Sequence, residues 1–87
     1  MRQAAVVPGA THEIRRVIVF DTGASGTYLF LFRSLADEPA FADHWYESAA
    51  DAISSAELAF GIHPGEWQAI DDPQPGCQHD RVAPVRD

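Results

Sequence analysis

Between Ile14 and Phe20 the chain mixes two arginines with Val17, Ile18, Val19 and Phe20, four consecutive β-forming residues. Asp21-Thr22-Gly23-Ala24-Ser25-Gly26 follows, with two glycines that tolerate positive φ and short polar side chains that bond the local backbone. Thr27 to Arg33 then returns as Tyr-Leu-Phe-Leu-Phe between its ends, so the spacing predicts two strands around a short loop, an antiparallel hairpin. Side chains alternate along a strand, which puts Tyr28, Phe30 and Phe32 on one face and Leu29 and Leu31 on the other. Both faces are apolar, and such a strand needs cover from above and below.

Asp37-Glu38-Pro39 interrupts the pattern, and Phe41 to Glu47, holding Trp45 and Tyr46, reads as a short helical turn. Ser48 followed by Asp51 resembles a capping box with Asp in the acidic position. From Ala49 to Phe60 the apolar residues Ala49, Ala52, Ile53, Ala56, Ala59 and Phe60 share one side of a helix, and Gly61 supplies the left-handed stop. A helix of that length spans about 18 Å, enough to cross three strands. His63-Pro64-Gly65 is a turn, and Glu66 to Ile70 reads as a short third strand. The expected fold is therefore a small α+β domain of order β-β-α-β over residues 12–70, with one helix packed on the sheet. Residues 1–11 read as a fraying, flexible N-terminus. Residues 71–87, with Pro73, Pro75 and Pro84, read as an extended tail that either packs across the domain or stays mobile. One helix covers one sheet face only, so the other needs the tail, the Trp45 segment or a second copy; a homodimer is a candidate assembly.

Composition narrows the class. Eighty-seven residues that are 46% hydrophobic and 10% aromatic fit one folded domain and not a disordered chain. No apolar run is long enough to span a bilayer, so no membrane partner is expected. Cys77 is the sole cysteine, which excludes an internal disulfide and makes a reducing cytoplasm the expected compartment. The net charge is −7, and residues 34–80 contain ten acids and no Lys or Arg. That stretch repels phosphate backbones, so no nucleic-acid partner is expected, and it attracts a basic protein surface. The absence of lysine beside 14 alanines reads as compositional bias. The favoured function is a non-enzymatic protein-interaction domain that meets a basic partner with Asp43, Glu47, Asp51 and Glu57.

Two strings carry alternative chemistry. Val19-Phe20-Asp21-Thr22-Gly23-Ala24-Ser25 resembles the active-site string of the aspartic proteases, most closely the retroviral-type enzymes that assemble as homodimers. That resemblance implies Asp21 as a catalytic carboxylate sharing a proton with its mate, with Thr22 and Gly23 building the loop. It covers about ten residues, and the rest departs from the family: no flap hairpin is visible, and Ala59-Phe60-Gly61 ends a helix. A hairpin loop of the same composition is the preferred reading. Cys77-Gln78-His79-Asp80, with His63, holds side chains that ligate transition metals, but Cys-x-His is not a zinc spacing and the ligands sit on a proline-rich tail. Local hydrogen bonding is preferred there, and no cofactor is implied. His12 and His44 stand singly, and the glycines match no phosphate loop.

From Trp45-Tyr46-Glu47-Ser48 through Phe60-Gly61-Ile62, Trp67, Asp72-Pro73 and Cys77-Gln78-His79-Asp80 to Pro84-Val85-Arg86, the chain resembles small uncharacterised bacterial proteins with a Cys-x-His-Asp and Pro-Val-Arg tail. This resemblance spans residues 28–86. It implies no activity, and it assigns Asp21 to a loop.

Overall fold

The computed structural model describes residues 1–9 and 13–86. Its strands are β1 (Arg2–Val6), β2 (Arg16–Asp21), β3 (Thr27–Phe32), β4 (Ala42–Tyr46) and β5 (Gln68–Ile70), with one helix, α1 (Ala49–Phe60), and a 3-10 turn at Pro64–Glu66. They form one antiparallel sheet of order β4-β3-β2-β1-β5, a small α+β domain with the helix on the sheet. The predicted hairpin is β2 and β3, joined through Asp21–Thr27 pairing with Ile18 opposite Phe30 and Phe20 opposite Tyr28.

Two elements differ from expectation. Where the sequence leads one to expect a fraying N-terminus over 1–11, Arg2–Val6 is a strand paired on both sides, to β2 and to β5. Its alanines carry little strand propensity, so the pairing and the burial of Ala5 and Val7 hold it. Residues 10–12, His12 among them, and Asp87 lie outside the described residues. The Phe41–Glu47 segment, expected as a helical turn, contains strand β4 instead, pairing Asp43 with Phe30 and Trp45 with Tyr28. Tertiary pairing to the strongly β-forming β3 overrides the weak local pattern of Ala-Asp-His-Trp-Tyr.

One sheet face and the helix make the core. Val17, Val19, Leu29 and Leu31 meet Ala52 and Ala56 of α1, with Ala5, Val7, Ile14 and Ile62 closing the sides. Both helix alanines are fully buried and let the helix backbone lie close to β2, β3 and β4. The ends of α1 are built as the sequence predicts. Ser48 Oγ accepts the Asp51 amide at 3.2 Å, and Gly61, at φ 68°, donates its N–H to the Glu57 carbonyl. Each large aliphatic side chain in this core contributes about 1.5–3 kcal/mol by leaving water.

The opposite face carries Ile18 and Phe32, both fully buried, and Arg16 lies over the Phe32 ring at 4.6 Å. Here the chain after Asp71 packs across the domain, one of the two outcomes expected for it. Arg2, only 1% exposed, is the anchor. Its Nε donates to the Asp71 carbonyl at 2.6 Å, and its Nη1 donates to the carbonyls of His79 at 3.0 Å and Arg81 at 2.6 Å. Asp37 accepts the amides of Val82 and Ala83, and Asp80 accepts the amide of Ala40. Gln78 donates its amide to the Val85 carbonyl beside a bridge between Cys77 and Arg86. The tail is thus held chiefly by main-chain polar groups, those bonded to Arg2 and Asp80 at half-buried positions.

Candidate functional site

The tail does not cover all of this face. Between it and the β2–β3 loop runs an open groove of about 650 Å³. Its floor is aromatic: Phe20 from β2 and Tyr28 and Phe30 from β3. Alternation along the strands aims these three to the same side. The rings of Tyr28 and Phe30 stack at 6.0 Å with an interplanar angle of 8°. Asp43 of β4 forms one wall, the hairpin residues Thr22 and Ser25 one end, and Cys77 to Asp80 the other wall. His79 is fixed by an edge-to-face contact with Phe20, 5.1 Å between ring centroids. The lining contains two carboxylates and no Lys or Arg.

The hairpin end is rigid for local reasons. Thr22 donates from both its amide and its hydroxyl to the Gly26 carbonyl, at 3.0 and 2.6 Å, and Gly26 returns its amide to the Gly23 carbonyl. Asp21 Oδ1 accepts the Gly23 amide at 2.9 Å, an Asx turn. Gly26, at φ 88°, lies under the indole of Trp45, where a Cβ would collide with the ring. The indole donates its N–H to the Ser25 carbonyl and remains 55% exposed.

The structure separates the residues singled out in the sequence. Asp21, Thr22 and Gly23 form the hairpin loop, and the Asp21 carboxylate is engaged with its own backbone; only Thr22 of the three lines the groove. Cys77, in the tail itself, is buried at 5% exposure, while the Asp80 carboxylate holds the Ala40 amide and His63 precedes the 3-10 turn, outside the groove. Among the described residues no three His, Cys, Asp or Glu side chains gather in a metal-holding arrangement. Of the acidic set, Asp43, Glu47 and Asp51 are exposed along β4 and the first turn of α1, whereas Glu57 accepts the Trp67 indole N–H at 3.1 Å. Asp43 belongs to the groove face and Asp51 to the helix, so the four do not share one surface.

No known protein family, characterised protein or solved structure matches this chain. No helix among the described residues is long and apolar enough to cross a membrane.

The groove itself was not named by any motif. Its signal in the sequence is the second apolar face of β3, which asks for cover that is complete over Phe32, beneath Arg16, and partial over Tyr28 and Phe30. The Thr22–Ser25 loop and the Cys77–Asp80 string, distant in sequence, meet there because Arg2 sets the path of the tail.

A carboxylate with a displaced titration lies beside the tail. Burial raises the Asp37 carboxyl, but the amides of Ala83 and Val82, together with the charges of Arg81 and Arg16, outweigh it and hold the group below the ordinary carboxylate range. Arg2 is pulled down by burial and supported in turn by Asp72, Asp37 and Asp71. A guanidinium so placed remains a cation throughout the physiological range. Both groups serve the tail and not the groove.

Proposed function

We propose that this protein is a non-enzymatic interaction domain that meets a basic protein partner through its acidic surface. The observation that carries this reading is the exposure of Asp43 on edge strand β4 and of Glu47 just after it, near the exposed Trp45, with Asp51 exposed separately on the helix. Carboxylates of one sign, with an aromatic side chain available for burial among them, are what a basic partner surface complements. The negative field of residues 34–80 disfavours nucleic acid and anionic lipid as partners. Compartment follows from the same reading: a chain with one thiol and no disulfide suits the cytoplasm.

The test is a titration of the intact protein with a defined basic peptide at increasing salt. Binding at low salt that weakens steadily as salt rises supports the reading, and so does its loss in the Asp43→Asn, Glu47→Gln, Asp51→Asn triple variant. Binding indifferent to both changes refutes it.

A further inference from the structure

We propose that the aromatic groove between the tail and the hairpin loop is the specificity site of that interaction and takes an arginine side chain of the basic partner. The proposal rests on the interaction-domain reading and adds to it a place and a chemistry. The groove offers what a guanidinium needs. The parallel rings of Tyr28 and Phe30 line the floor, and Asp43 stands exposed on the wall beside Phe30, its partner in the β3–β4 register. A planar cation lies flat on such a ring while its edge hydrogen-bonds a carboxylate. No cation of this chain lines the groove, so its charge is uncompensated there.

The molecule already uses this chemistry twice. Arg16 covers Phe32, the next ring along the same row of β3, at 4.6 Å, and Arg33 covers Phe41 at 3.4 Å. The row Phe32, Phe30, Tyr28 is therefore capped by a guanidinium of its own chain at one end, and it opens into an acidic groove at the other. Charge complementarity selects a cationic occupant over an apolar one, and the aromatic lining favours the planar, weakly hydrated guanidinium of arginine over lysine. The walls are fixed from behind: His79 by Phe20, Asp80 by the Ala40 amide, and the hairpin end by its own hydrogen bonds. Little ordering is left to be done on binding, which favours affinity.

The experiment titrates the intact protein with a short peptide of alternating arginine and glycine and with its lysine counterpart, following backbone amide shifts and dissociation constants. The expected result is a preference of about threefold to fivefold for arginine, with shifts centred on Phe30, Asp43 and Gln78. Asp43→Asn and Phe30→Leu should each weaken the arginine peptide by about the same factor, and Asp51→Asn, on the helix, should cost less than Asp43→Asn. Folding of each variant is checked by the unperturbed shifts of the helix core. If both peptides bind equally and Asp51→Asn costs as much as Asp43→Asn, the groove assignment is overturned while the acidic interaction surface stands. If neither peptide binds at low salt, both readings fall. Shifts at Phe30 and Asp43 that grow with protein concentration alone make a second copy the occupant and overturn the arginine assignment.

Discussion

Replacing Arg2 by Met tests whether one buried cation holds the tail. The side chain is 1% exposed and gives three hydrogen bonds to the carbonyls of Asp71, His79 and Arg81. Bonds with a charged donor contribute about 1.5–3 kcal/mol each, so a simple sum reaches about 4.5–9 kcal/mol. The sum overstates the cost, because Met refills much of the volume and the freed carbonyls regain water when the tail lifts. Breaking one side of such a buried polar set costs about 3–5 kcal/mol. A chain of this length holds only about 4–13 kcal/mol in total. A loss of ~3 kcal/mol lowers the melting temperature by about 12–24 °C. Urea titration measures the loss, and hydrogen exchange locates it at the amides of Gln78, Val82 and Ala83, which are bonded in the packed tail. Arg2→Lys should recover little, since an ammonium keeps the charge but lacks the planar fork that reaches three acceptors. A cost below about 1 kcal/mol with those amides still protected would refute the anchor.

Three further outcomes are expected. Gly26→Ala forces a side chain onto a backbone at φ 88° and into the Trp45 indole, so it should destabilise by at least about 1–2 kcal/mol and alter Trp fluorescence; in a Trp45→Ala background only the backbone strain should remain. Asp37 has a folded pKa below its unfolded one, so its contribution is present above the ordinary carboxylate range and is lost as pH falls through the folded value. Asp37→Asn should therefore lower the melting temperature at neutral pH and flatten its fall in acid, and an unchanged acid limb would contradict the assignment. Ser48→Ala removes the helix cap and should cost about 1 kcal/mol by thermal denaturation, with Ser48→Asp restoring most of it.

Elements specified by near neighbours were legible in the sequence. The β2–β3 hairpin follows from its β-forming runs and two-glycine loop, and α1 follows from its periodicity, from Ser48 and from Gly61. Strand β1 was not legible, because Gln3, Ala4 and Ala5 carry no strand signal and depend on β2 and β5 for pairing. The same holds for β4, whose exposed Asp43, His44 and Trp45 follow no alternation between apolar and polar positions. The groove was half legible. Tyr28 and Phe30 announced a second apolar face, but the wall at Cys77–Asp80 depends on carbonyls meeting the guanidinium of Arg2, and main-chain acceptors leave no trace in a sequence.

The anchor at Arg2 also orders events in time. Its last acceptor lies 79 positions further along the chain, so during synthesis Arg2 must wait for Arg81. Until then β1 can pair with β2 and, once made, β5, but one of the most deeply buried cations in the protein stays in water. Closing so long a loop carries an entropic cost that local structure cannot lower, which makes docking of the tail a late step. A nascent chain halted before Asp71 should hold the hairpin and leave the Arg2 guanidinium in solvent.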